Sequence, residues 1–248
     1  MLQSNSIRKS GSAAPGAARS TLILSRRDIA ALMTPAEYLE AVERGFRALA
    51  EGHVDMPPPL AIGGRGGAFH AKGAGLRLDR HYVALKLNGN FPDNPEARGL
   101  PTIQGAILLC DGETGALLAI IDSIGITLGR TAAASALAAR YLARPDSATL
   151  GVCGCGEQAL AQILAIADIL PIRRCLLHDR DGRRSAALAE VLRGASGLEV
   201  IVVASARSAA LTDVIVTCTT ATSPILEAGD VRPGSFIAAV GADSPGKA

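Results

Sequence analysis

The run Thr149-Leu-Gly-Val-Cys-Gly-Cys-Gly156 does most to limit what this chain can fold into. A short apolar run ends in Gly154-Cys-Gly156-Glu157-Gln158-Ala159, which matches G-x-G-x-x-A, and a helix-forming segment follows at once. In that setting Gly154 permits a tight turn, Gly156 leaves the backbone open to a pyrophosphate, and Ala159 lets a helix pack close to its strand. The helix N-terminus would then face the phosphates, with Glu157 and Gln158 in its first turn. A purely structural glycine turn is the competing reading. Downstream, strand patterns at 149–153, 174–178, 199–203, 213–218 and 236–240 alternate with helical patterns at 157–170 and 182–193. Near-continuous apolar strands in such alternation predict a doubly wound parallel sheet of the Rossmann type. The second strand runs into Asp179, 25 positions after Gly154, where an acid meets the ribose hydroxyls of a dinucleotide. A carboxylate there repels a 2′-phosphate, so NAD is expected over NADP, with neighbouring Arg180 working against that preference. A solvated strand-end acid or a helix cap is the plainer role for Asp179.

The N-terminal half has a different texture. Ser25-Arg-Arg-Asp28 and Thr34-Pro35-Ala-Glu37 both read as capping boxes, the second with proline at the first helical position. In the second helix Tyr38, Leu39, Val42, Phe46 and Leu49 share a face and are expected in the core, and Gly52 ends it. After Pro57-Pro58-Pro59 and a glycine-rich 63–67, strands are predicted at 68–71 and 81–87. Val83, Leu85 and Leu87 fall on one side of the latter, Tyr82, Ala84 and Lys86 on the other. A long loop is expected over 88–101, and a hairpin joins 105–110 to 116–121 through Asp111–Gly115. The alanine-rich stretch 131–143, closed by Pro145, predicts a helix bridging two units. The expected organisation is therefore α/β: a disordered tail over 1–20 (or a transit peptide), an α+β domain over 21–130, and a Rossmann domain over 131–248.

Several functions are disfavoured by composition. The 248 residues are 48% hydrophobic and 19% charged, enough to bury a sizeable core. A net charge of +2, with no basic stripe interleaved with aromatics, gives no case for nucleic acid. No apolar run approaches the roughly 20 residues of a membrane span. The five cysteines, 110, 153, 155, 175 and 218, sit within apolar runs and read as buried thiols of a reducing, cytoplasmic compartment. Cys153-x-Cys155 has no second ligand pair at metal spacing, so no metal is expected.

A set of further segments carries a resemblance. They are Lys86 with Asn88-Gly-Asn; Gly99-Leu-Pro-Thr102; Asp111 with Thr114-Gly115; Ile126-Thr127-x-x-Arg130-Thr131-Ala-Ala; Tyr141-Leu-Ala-Arg; Thr217-x-Thr219 with Pro224-Ile-Leu; and Gly241-Ala-Asp243-x-Pro-Gly-Lys247. Together with the glycine motif, and in this order, they resemble the ornithine cyclodeaminase/μ-crystallin family over about residues 22–247. That resemblance implies a homodimer, a substrate pocket in the first domain, and a nicotinamide cofactor working at the α-carbon of a small amino acid or cyclic imine. It implies that Lys86 and Arg130 grip the substrate carboxylate beside Thr102, and that Asp243 and Lys86 are catalytic, Asp243 as the acid. It adds Thr131, Thr219 and Gly241 to the cofactor site. Without it, Lys86 and Arg130 read equally well as surface or phosphate-pairing charges and Asp243 as a turn aspartate.

The resemblance covers three reactions: cyclodeamination of ornithine to proline, oxidative deamination as in alanine dehydrogenase, and reduction of a ketimine or pyrroline-2-carboxylate. The first two are favoured by Asp243; the crystallin-like branch adds a non-catalytic cofactor-binding alternative. Two departures stand out. Family members commonly carry arginine where this chain has Pro59, and Lys72, where many have methionine, is the expected replacement cation. The family's sheet also continues past the point where this chain stops, so a shortened Rossmann unit of about five parallel strands is expected.

Overall fold

The structure, a computed structural model, describes residues 20–242. The expected tail, save Ser20, and the expected catalytic acid Asp243 lie outside the described residues.

Chain order begins with β1 (Leu22–Leu24), α1 (Arg26–Leu32) and α2 (Pro35–Ala50). Both capping boxes form: Ser25 accepts from the Asp28 N–H and Thr34 from the Glu37 N–H, and each acid side chain reaches back to its cap. Gly52, at φ +77°, takes the chain out of α2. Then come β2 (Val54–Asp55), β3 (Leu60–Gly64), β4 (Gly67–Arg77), β5 (His81–Asn90), α3 (Asn94–Arg98), β6 (Ile103–Asp111) and β7 (Leu117–Asp122). They build one sheet in the order β1-β7-β6-β5-β4, with β2 and β3 sharing the outer edge of β4. Glycine content hid β3 from the sequence reading, and the expected 88–101 loop contains the end of β5, residues 88–90, and all of α3.

The long helix α4 (Ser123–Leu142) starts eight residues before the expected 131. Gly125, Thr127 and Gly129 lower its propensity, but Asp122 caps it, its Oδ1 accepting from the N–H groups of Ile124 (3.0 Å) and Gly125 (3.3 Å). Tertiary packing overrides the weak propensity: a Cβ on Gly129 would come within 2.6 Å of the Tyr38 ring, so α2 crosses α4 closely there. The expected unit boundary at 130/131 thus falls inside this helix. Its first half lies against α1, α2, β5 and β6.

The second half packs on a five-stranded sheet made by β8 (Thr149–Cys153), α5 (Glu157–Ala167), β9 (Arg174–His178), α6 (Gly182–Ala195), β10 (Glu199–Val202), α7 (Ala206–Ala210), β11 (Val214–Thr217) and β12 (Phe236–Ala238). Every pairing is parallel and the order is β10-β9-β8-β11-β12, the predicted doubly wound arrangement. The short α7 was missed, as was a 3-10 turn at Ala228–Asp230. Leu150, Val152, Ile163, Ile166, Leu177, Leu192 and Val214 are fully buried here together with Ala139 of α4. Each buried aliphatic side chain contributes about 1.5–3 kcal/mol, so this sheet holds the main core.

The first sheet behaves differently. Val83, Leu85 and Leu87 are 37%, 45% and 46% exposed, although theirs is the more apolar side of β5. Phe46 and Leu49, expected in the core, are 53% and 45% exposed, because α2 turns only its Tyr38–Val42 end and Ala48 inward. No helix among the described residues is long and apolar enough to cross a membrane.

Candidate functional site

At the end of β8 the backbone turns through Gly154, which takes φ +93°, a region costly for any side chain. A Cβ there would also press within 2.8 Å of the Cys218 carbonyl oxygen. Gly156 is the opposite case: nothing lies within 4 Å of where its Cβ would stand, and it caps α5 without a side-chain hydrogen bond. The first N–H groups of an 11-residue helix therefore open onto free space, the geometry a phosphate requires. Behind them Ala159 is fully buried against the core, as expected. The Gln158 Oε1 is buried without a partner, while Glu157 is exposed on the first turn.

The neighbouring loops close around this turn. The Gly241 N–H donates to the Thr217 carbonyl (2.8 Å), and a Cβ on Gly241 would come within 2.4 Å of the Thr219 carbonyl oxygen. Gly154, Thr219 and Gly241 thus meet at the carboxyl ends of β8, β11 and β12, beside the point where strand order reverses. Asp179 arrives from β9. Its Oδ2 accepts from the Cys155 N–H (2.7 Å) and its Oδ1 from the Asp181 N–H (2.8 Å), tying the second strand to the glycine turn. A carboxylate has about four acceptor positions, so hydroxyl groups of a ribose still find lone pairs on it. Burial pushes the Cys153 thiol up to about 11 and those of Cys155, Cys175 and Cys218 up to about 12. They are neutral fillers and not nucleophiles.

A second cluster lies on the sheet face opposite the exposed leucines. One cross-strand row runs Lys72–Lys86–Ile107–Ile121–Leu24 through β4, β5, β6, β7 and β1. Lys72 and Lys86 are thus directly opposed. Above them lies α4, pinned by the Ser123 hydroxyl donating to the Asn88 Oδ1 (2.6 Å). Ser123, Thr127 and Arg130 share that helix face. Burial first, then the charges of Arg130 and Lys72, lower the Lys86 ammonium from 10.5 to about 8. Among the described residues neither lysine forms an ion pair. The buried Thr127 Oγ1 has no hydrogen-bond partner. A half-buried ammonium, Lys86, flanked by the exposed cations Lys72 and Arg130 and by an unsatisfied hydroxyl, is suited to hold a small carboxylate.

Of the expected residues, Lys72, Lys86 and Arg130 come together. Thr102 does not join them: it lies one residue before β6, five positions from Ile107 and on the alternate face. At roughly 3.3 Å per residue that is about 16 Å away along the strand. Thr131 sits next to Arg130 in α4, its hydroxyl donating to the Thr127 carbonyl (2.6 Å). Asn88, Ser123 and Thr127 were absent from the expected site. The Thr127–Arg130 spacing would have shown Ser123 and Thr127, had α4 been extended back to its Asp122 cap; Asn88 joins them only through the contact of β5 with α4.

A sequence profile of the ornithine cyclodeaminase/mu-crystallin family matches residues 19–248. The alanine dehydrogenase of Archaeoglobus fulgidus is 36% identical over 230 residues, which cover 92% of this chain and 69% of that protein. Among solved structures, an archaeal alanine dehydrogenase dimer with bound NAD superposes with a TM-score of 0.87 at 35% identity, over 92% of this chain and 69% of the other. The Δ1-pyrroline-2-carboxylate reductase of Thermococcus litoralis, solved with NADH and L-proline, gives 0.84 at 35% identity, over 88% of this chain and 68% of the other. This chain therefore spans about two-thirds of the length of the proteins it matches. Two features of the structure, the glycine turn of the five-stranded sheet and the Lys86–Arg130 cluster over the first sheet, agree with that match, and the chain belongs to the ornithine cyclodeaminase/mu-crystallin family.

Proposed function

We propose that the protein is an NAD-dependent enzyme that oxidises a small L-amino acid at its α-carbon, as in cyclodeamination or oxidative deamination. The observation that carries this reading is the meeting of Lys86 with Arg130 of α4, a helix whose far half packs on the dinucleotide-type sheet. The cofactor fits the residues present: the empty space above Gly156, the open first turn of α5 and the lone pairs left on Asp179 are a cradle for pyrophosphate and ribose. When bound, NAD supplies a hydride acceptor.

The chain's own groups do the rest. Arg130 presents a fork that matches a carboxylate, and the Lys86 ammonium adds a point charge, so the α-carbon is fixed in one orientation. With Lys86 at about 8, that charge is partly lost in mildly alkaline solution. The side chain of Asp243 takes and returns the proton of the substrate nitrogen, a general acid–base role. The 21–130 segment serves as the substrate and dimer domain and 131–248 as the dinucleotide domain.

The test is a screen of L-alanine, L-ornithine, L-lysine and Δ1-pyrroline-2-carboxylate with NAD(H) and NADP(H), read by nicotinamide absorbance. Oxidation of an amino acid with NAD⁺ is expected. A second reading, imine reduction, draws support from the superposition on the reductase that holds L-proline. Pyrroline-2-carboxylate reduction without amino-acid oxidation would establish it. Cofactor binding with no turnover of any substrate would reject both in favour of a binding protein.

A further inference from the structure

We propose that Lys72 is a specificity-determining residue of this carboxylate pocket, its ammonium gripping the substrate carboxylate from β4, directly across the strand from Lys86. This rests on the reading of Lys86 and Arg130 as carboxylate ligands and adds a residue and a place to it.

The register argues for it. Lys72 and Lys86 are Cα partners, so their Cβ atoms stand roughly 4.5–5.5 Å apart on the same face. Like charges placed directly opposite in a sheet destabilise it. Here the repulsion is kept even though one of the two ammonium groups is half-buried. Neither lysine has a carboxylate partner among the described residues to offset it. An anionic ligand between them removes the cost and turns both charges into donors. The neighbouring strand explains why the charge sits on β4. The pair Leu60–Ala71 closes the β3–β4 ladder, so Pro59, one residue earlier, falls opposite Lys72 in the same row. Proline brings no donor, and the row's cations are those of β4 and β5. Lys72 is exposed where Lys86 is half-buried, so it stands on the solvent side of the pair and meets the ligand first.

The experiment uses the whole chain with saturating NADH and measures binding of L-proline, L-alanine and L-ornithine, with L-prolinamide as the probe lacking a carboxylate. Lys72→Met is expected to weaken the carboxylate ligands roughly 10- to 100-fold, the range for a lost charged hydrogen bond. L-Prolinamide and NADH affinities stay unchanged. Lys72→Met should also melt no lower than the parent protein without ligand, since it removes a like-charge pair. Pro59→Arg on the Lys72→Met background places a cation back in the row and should recover most of the lost affinity; Lys72→Arg should retain it. If the parent binds a carboxylate ligand and Lys72→Met binds it equally well, the role of Lys72 is overturned and that of Lys86 and Arg130 stands. If the parent binds none of the three, both fall. Equal losses for L-proline and L-prolinamide would mark Lys72 as structural and overturn the proposal.

Discussion

Lys86 shows how one position can be ordinary in sequence and unusual in place. Alternation along 81–87 already put it opposite the leucines, but its burial and the convergence of Lys72 and Arg130 depend on two strands and a helix meeting across long stretches of chain. The lowered pKa has a consequence for stability. Below about 8 the ammonium is charged in both folded and unfolded chains, and the folded state bears the cost. Between about 8 and the unfolded value of 10.5 the folded chain binds fewer protons than the unfolded one, so stability rises with pH through that window. Thermal melting of the free protein should show that rise, and Lys86→Met should flatten it. A parent protein whose melting temperature is level across the window would contradict the assigned burial. Asp111 makes the opposite point. The sequence marked it as a hairpin residue and as part of a family segment, and the hairpin role suffices: its Oδ1 accepts from the Thr114 N–H and hydroxyl and from the Glu113 N–H, which with Arg80 hold the carboxyl down at about 2.

Among the elements, those whose signals are local could be read from sequence and those made by packing could not. Both capping boxes, the parallel strands and the glycine turn rest on neighbours within a few residues. The early start of α4 rests instead on Asp122 as its cap and on Tyr38 from another helix. The two glycines of the β8–α5 region separate structure from binding in the same way. A Cβ on Gly151 would lie 1.8 Å from the Ala209 carbonyl oxygen, so α7 can approach β8 only over bare backbone. Gly151→Ala should cost about 3 kcal/mol or more, the upper range for overpacking, and depress thermal stability sharply. Gly156→Ala meets nothing and should cost less than about 1 kcal/mol as a poorer cap. Its methyl would fill the space proposed for pyrophosphate, so NADH affinity should fall by at least tenfold with melting little changed. Unchanged NADH affinity would remove the glycine turn from the cofactor site.

For the whole molecule, the surprise is where the apolar surface went. Periodicity identified Val83, Leu85 and Leu87 as a face but said nothing of what covers it, since one chain's pattern is the same for a core and for an interface. Leu60, Ile62, Phe69 and Leu108 extend the exposed face across β3, β4 and β6. A continuous apolar sheet surface of this kind suits a second copy of the chain, in keeping with the homodimer proposed from the family. Sedimentation should find the parent as a dimer and Leu85→Asp as a folded monomer. A parent that sediments as a monomer at micromolar concentration would overturn the dimer.

The helix α4 joins these scales. Its 20 residues span about 30 Å, with Arg130 near the middle and packed sheets at either end. Ligand recognition is assigned to Lys72, Lys86 and Arg130 and nucleotide recognition to the turn at Gly156, and α4 packs on elements of both regions. Substitutions at Lys72 on β4 can therefore alter how firmly a carboxylate is held while the glycine turn is left untouched. A single helix thereby joins the recognition of the acid to that of the nucleotide.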